Sequence, residues 1–405
     1  MAPRAARAGA VAAISTSQCG GRNPLPRLAR RAMAILLVLL LGLMPLLAAV
    51  LPEDRSDALY HAYKGGGLEV NGPSILVRKQ VGKSSSLSAN YYVDSITSAT
   101  IDVITAASPY TEKRTEKSVG VDYVFNKSIM STGYTNSIEN DFDAQSAFFN
   151  ISQNMFGDLT TVSLGYARGW DVITKTGDPD FKEKANRQSY SLGITQVLTK
   201  NLLMAFNFQT ITDEGFLNNP YRSVRYLDPT SASGYSFEPE VYPRTRTSNA
   251  AALRAIYYLP YRASVRGEYR YFSDDWGIRA FNAGVGYTHP IGGRWLLDFK
   301  YRYYDQSGAD FYSDLFPYAQ AQNYLARDKE MSSYSNQTIG FGVSYQIFPK
   351  GLRFIDKGSI NLKYDYLMFE YDDFRNITKT GYAPGEEPLY EFTASVTQLF
   401  FSIWY

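Results

Sequence analysis

Charged residues recur at every second position in the later half of the chain. They are Arg254; Arg266, Glu268 and Arg270; Asp298, Lys300 and Arg302; and Lys363 and Asp365. The positions between and beside them hold Leu253, Ala255, Val265, Tyr269, Leu297, Phe299, Tyr301, Leu362, Tyr364 and Tyr366. A period of two puts the charges on one face of an extended chain and the rings on the other. A charge held in hydrocarbon costs several kcal/mol, so this face is expected to line a polar lumen while the aromatic face meets lipid. Two roles remain open for it. Mixed charges around a pore select solutes by sign, and cross-strand salt bridges fill and stiffen a closed barrel. The near balance of signs favours the network; the small excess of cations favours a pore that tolerates anions.

A second group lies between Thr212 and Arg246, where Tyr221, Arg222, Arg225 and Tyr226 are followed by Tyr235, Phe237, Tyr242 and Arg244. Interleaved Arg and Tyr can grip a sugar, an anion or a partner protein, or fold inward as a constriction; long loops often carry function. Acidic spots at Asp178/Asp180, Asp305/Asp310/Asp314 and Asp372/Asp373 lack the ordered spacing of a calcium loop and read as solvated loop residues. The only histidines are His61 and His289. Neither is placed to serve a serine or carboxylate pair in the long loops, so histidine-dependent hydrolysis is not expected. No Gly-rich phosphate loop is present. No catalytic residue, metal or cofactor is therefore assigned.

These side chains need strands to position them. From Ser85 onward the alternation repeats: Leu87 to Val93, Val119 to Phe125, Val162 to Tyr166, Tyr190 to Ile194, Met204 to Phe208, Phe281 to Tyr287, Trp295 to Tyr303, Ile339 to Tyr345 and Ile360 to Met368. The strands are about ten residues long, enough to cross a bilayer at a tilt. Short turns alternate with longer polar loops, which are expected near 97–115, 174–186, 212–245, 305–332 and 371–389. That asymmetry fits an all-β, antiparallel up-and-down outer-membrane barrel of about fourteen strands, an even number as closure requires. Residues 53–64 have helically spaced Ala58, His61 and Ala62, and Asn71-Gly72 signals a hairpin. Residues 50–84 are therefore expected as a periplasmic or luminal segment; an extra hairpin there would raise the count to about sixteen.

Composition agrees. The 405 residues include Tyr 33 and Phe 23 against Trp 4, and tyrosine suits a strand end at a membrane surface. Lys+Arg 41 against Asp+Glu 39 leaves a net charge of +2 and no electrostatic case for nucleic acid. Residues 1–49 combine a basic stretch (Arg27, Arg30, Arg31) with an apolar run from Ala34, the pattern of a secretory signal peptide. The single cysteine, Cys19, lies within it, so the mature chain is expected to lack thiol chemistry. The barrel is then assigned to 85–405. Its last strand alternates Leu399, Phe401, Ile403 and Tyr405, and pairing with Ser85–Val93 is expected to close the ring.

Several segments resemble a bacterial family catalogued as DUF3570: Gly65-Gly66-Gly67 with Gly72-Pro73-Ser74, Asn90-Tyr91-Tyr92-Val93-Asp94, Gly157-Asp158-Leu159-Thr160-Thr161, Thr212 to Arg222, and Tyr257-Tyr258-Leu259-Pro260-Tyr261-Arg262. The resemblance spans about 53–405. It implies a predicted outer-membrane β-barrel, recognition of the terminal aromatic strand by the outer-membrane insertion machinery, and gene neighbourhoods with a small lipoprotein and a flavin-transferase-like protein. The resulting expectation is a Gram-negative outer-membrane channel, passive or gated, for a small hydrophilic solute. The alternative is a scaffold barrel holding a lipoprotein or redox partner.

Overall fold

The computed structural model describes residues 49–101, 110–349 and 351–405. The expected leader therefore lies outside the described residues, Ala49 excepted. Two strands precede Ser85: β1 (Arg55–Gly65) and β2 (Leu68–Val81). There follow β3 (Ser85–Ser98), β4 (Tyr110–Phe125), β5 (Ser128–Ile138), β6 (Phe142–Met155), β7 (Thr160–Lys175), β8 (Asp178–Thr199) and β9 (Leu202–Gly215). A short hairpin, β10 (Ser223–Leu227) and β11 (Tyr235–Pro239), comes next. Then come β12 (Thr245–Tyr258), β13 (Ser264–Asp274), β14 (Arg279–Ile291), β15 (Trp295–Gln306), β16 (Tyr334–Ile347), β17 (Lys357–Arg375) and β18 (Leu389–Trp404).

All strands except β10 and β11 form one closed barrel of 16, each antiparallel to its neighbours in the ring. Closure runs through β1, which pairs with β18 from Arg55↔Trp404 to Gly65↔Ala394. Two expectations are corrected here. The segment 50–84 is barrel wall, not a periplasmic or luminal appendage, and the strand that meets the terminal one is β1, not β3. Residues 55–65 are a strand because neighbours on both sides supply ladder hydrogen bonds, and tertiary pairing overrides a weak helical spacing. The β1–β2 turn uses Gly66 and Gly67 at φ 58° and 79°, the left-handed geometry of a two-residue hairpin. Asn71-Gly72 lies inside β2; a turn there would leave strands too short to span a bilayer.

Short turns occupy one end, for example 126–127 and 200–201, and the long connections 216–244, 307–333 and 376–388 all leave the other, here termed the roofed end. The expected loop 174–186 is instead a tall hairpin turning at Thr176-Gly177, since β8 already begins at Asp178. The outer face exposes Ile75, Val77, Leu87, Val119, Val121, Leu253, Val285, Phe341, Leu362, Leu399 and Phe401. That much exposed hydrocarbon on a belt of strands needs lipid around it.

Candidate functional site

Cross-strand register puts the charged residues on one face of the wall, opposite the exposed apolar belt. Arg254 faces Glu268 on the next strand, with Nε 2.7 Å from Oε2. Arg266 reaches past β14 to Asp298 on β15, at 2.6 and 2.8 Å. Lys300 reaches past β16 to Asp365 on β17, at 2.7 Å. The two long reaches share a device. Arg266 stands opposite Gly286 and Lys300 opposite Gly340, and a Cβ at either glycine would lie within 2.4 Å of the side chain crossing it. Each glycine is thus a saddle that lets a long charged side chain lie flat along the wall. Among the described residues Arg270 makes no ion pair, the Arg302 guanidinium has one hydrogen bond, to Thr338 Oγ1 at 3.5 Å, and the Lys363 ammonium lies over the Phe400 ring at 5.4 Å.

The wall on the other side of the bore is small and polar. Ser131, Thr135, Ser146, Asn150, Ser152, Ser163, Gly165, Ala167, Ser189, Ser191 and Gly193 face inward on β5–β8, with Ile129, Phe142, Phe148, Ile173 and Arg187 as larger members of the same face. His61 is also luminal, contrary to its expected place before the barrel. Its Nε2 is 2.7 Å from Asp94 Oδ1 and 3.0 Å from the Tyr92 hydroxyl, the rings of His61 and Tyr92 stack, and Arg114 pairs with the same Asp94. No serine or threonine hydroxyl bonds to this imidazole among the described residues.

The Arg/Tyr segment becomes a roof. The β10–β11 hairpin is rooted between β9 and β12, yet it touches turns and loops from both sides of the ring. The Tyr221 hydroxyl donates to Asp141 in the β5–β6 turn and accepts from Thr176 N in the β7–β8 turn. Arg225, fully buried, donates Nε to the Asp314 carbonyl at 2.9 Å and pairs with the Asp314 and Glu387 carboxylates. Backbone bonds Leu227 N to Phe316 O and Phe316 N to Arg225 O, each 2.9 Å, join the hairpin to the loop 307–333. The β5–β6 turn and the β15–β16 loop stand eight strands apart in a ring of 16, so these contacts carry the roof across the mouth. Arg222 pairs with Asp328, and Tyr226 packs on the Val224, Phe316 and Leu325 cluster. A second cluster of Tyr242, Trp276, Ile278 and Phe311 gives the roof a core of its own. Asp314, expected in a solvated acidic loop, is instead buried between Arg225 and Arg327. Asp178, Asp180 and Asp372 remain exposed.

A family model described as "Protein of unknown function (DUF3570)" matches residues 101–402. The chain belongs to the DUF3570 family. No curated protein matches it in sequence. Among solved structures, this DUF3570 barrel is similar to a bacterial polysaccharide outer membrane secretin, at 6% identity over 87% of this chain and 99% of that one, with a TM-score of 0.47. It is also similar to the outer-membrane OmpT of Vibrio cholerae, at 11% identity, 87% and 97% coverage and a TM-score of 0.42. A third is Pseudomonas aeruginosa OccK2 in complex with glucuronate, at 8% identity, 87% and 98% coverage and a TM-score of 0.40.

The residues of this DUF3570 barrel that sequence reasoning passed over are Arg327 and Glu387, which join Asp314 in the roof, and Asp94 and Arg114, which join His61 in the wall. The large apolar residues Phe316 and Leu325, so close to Asp314 and Arg327 in a nominally polar loop, are the signal that this loop packs.

Proposed function

We propose that the protein is an outer-membrane channel for small hydrophilic solutes, gated at one mouth by the folded roof. One observation carries the reading: among the described residues, every ion pair between barrel strands joins strands at most two places apart in the ring. Such pairs stiffen the wall as a cross-strand network does, but side chains that also filled the barrel would meet across the bore. Here they lie against the wall, over glycine saddles, opposite an arc of small residues, and a ring of 16 strands is wide enough for an aqueous channel. The test is reconstitution into planar bilayers. Discrete conductance steps are expected, with Arg302→Glu moving the reversal potential toward cation preference; a correctly folded barrel that never conducts would sink the reading. A second reading, a scaffold for a lipoprotein or redox partner, is favoured by the exposed Phe237, Tyr318, Tyr324 and Tyr382 on the roof. It predicts electrical silence and co-purification of that partner.

A further inference from the structure

Three successive inward rows near the roofed end differ in chemistry. The row nearest the roof holds Phe272, Tyr334 and Tyr371. The next holds Arg270, Tyr304, Phe369 and Phe392, and the third Glu268, Arg302 and Thr338. The rings touch in series: Tyr304 to Tyr334 at 5.5 Å, Tyr334 to Phe369 at 6.3 Å, and Phe369 stacked on Phe392 at 4.5 Å. Buried Tyr371, Phe374, Tyr390 and Ile101 back this series, while Tyr334, Phe369 and Phe392 are only partly covered. Register puts Arg270 in the same row as Tyr304, and Arg302 is two residues before Tyr304 on β15.

The two guanidinium groups stand out against their surroundings. Arg254, Arg266 and Lys300 on the same arc each have a carboxylate; among the described residues Arg270, Arg302 and Lys363 have none, and of these Lys363 already lies over the Phe400 ring. We propose that Arg270, Arg302 and the Tyr304–Tyr334–Phe369–Phe392 ring series form a luminal site for an organic anion with a flat apolar body, the chemistry of an aromatic carboxylate. An aromatic series offers stacking and dispersion to a flat body, and a guanidinium fork holds a carboxylate by two charge-assisted bonds. A chloride path has no use for the rings, and a neutral sugar has no use for two uncompensated cations. As a statement of what the channel carries, the inference rests on the channel reading; as a binding site it stands without it.

The experiment uses the full barrel and benzoate, with acetate and glucose as comparisons. In bilayers, benzoate is expected to interrupt the chloride current at concentrations where acetate and glucose do not. Arg270→Gln and Arg302→Gln should each weaken that block by about tenfold, the loss of one charge-assisted contact. Phe369→Leu should weaken benzoate block as well, through the loss of a stacking face. Equal block by benzoate and acetate would overturn the site in favour of a simple anion path. If the barrel carries no current, the channel reading falls and calorimetric titration of benzoate into micelle-held protein decides the site. Heat that disappears in the Arg270→Gln/Arg302→Gln double variant upholds it, and no heat from the parent protein overturns it. Heat-modifiable gel mobility confirms that each variant is folded.

Discussion

The carboxyl of Glu240 is 4% exposed in the roof, accepting Tyr242 OH at 2.9 Å and Arg327 N at 2.8 Å. Burial first, and then the nearby charge of Asp328, push its pKa from an ordinary 4.5 up to about 7; Arg222 and the two hydrogen bonds pull partly the other way. In an opened roof the carboxyl would ionise at its ordinary value. Its contribution therefore holds the roof closed fully below about pH 4.5 and is lost as pH rises toward about 7. On this account the roof should be weaker at pH 8 than at pH 5.5, by on the order of 1–3 kcal/mol. Hydrogen exchange of residues 216–244 would read the change, and Glu240→Gln should flatten it. An unchanged pH profile in that variant would assign the effect to another group. The sequence shows a Glu in a loop and nothing of this, because the shift comes first from burial in the folded roof and then from Asp328, far along the chain.

At the scale of elements, the β10–β11 hairpin is held unequally on its two sides. Toward β5–β8 its tie is the exposed Tyr221 hydroxyl on Asp141 and Thr176. Toward β15–β18 it is buried Arg225, bound by Asp314 and Glu387. Removing the first should loosen one edge only: Tyr221→Phe is expected to cost about 1 kcal/mol and to raise the frequency of channel opening. Arg225→Met leaves buried Glu387 without its cation and Asp314 with Arg327 alone, and is expected to cost about 3–5 kcal/mol, exposing 216–244 to protease while the strands stay protected. Equal protease sensitivity in both variants would remove the distinction between latch and anchor. The interleaved Arg and Tyr were legible as a long connection between strands. Its partners were not, since Arg225 and Glu387 are separated by 162 residues and only the ring brings them together. The β1–β2 hairpin was obscured for a different reason. Small Ala58 and Ala62 on its outer face gave little contrast, and two turn signals five residues apart competed.

For the whole molecule, closure depends on a seam between the first and last strands. Alternation in Leu399, Phe401 and Ile403 was sufficient to read the terminal strand, and the structure pairs these with Tyr60, Ala58 and Ser56. Tyr405 fastens the same seam: its N is 3.3 Å from Asp54 O, its hydroxyl 3.2 Å from Ser56 Oγ, and the Lys79 ammonium lies over its ring at 4.9 Å. Deleting Tyr405 is therefore expected to lower the yield of heat-modifiable barrel in the envelope before any change in conduction; wild-type yield would show the residue to be dispensable. The inward charges were legible because lipid forbids them elsewhere. Which of them pair was not, because period two gives the face and only the register gives the partner.

The glycine saddles carry a consequence for the history of the chain. Gly286 and Gly340 serve side chains on the strands to either side, so each is one member of a triplet: Arg266–Gly286–Asp298 and Lys300–Gly340–Asp365. A larger residue at the centre leaves its flanking charges no route to one another, and shortening either flank removes the reason for the glycine. Among relatives of this chain, the members of each triplet should be kept or lost together, a pattern of joint replacement that single-position variability would hide.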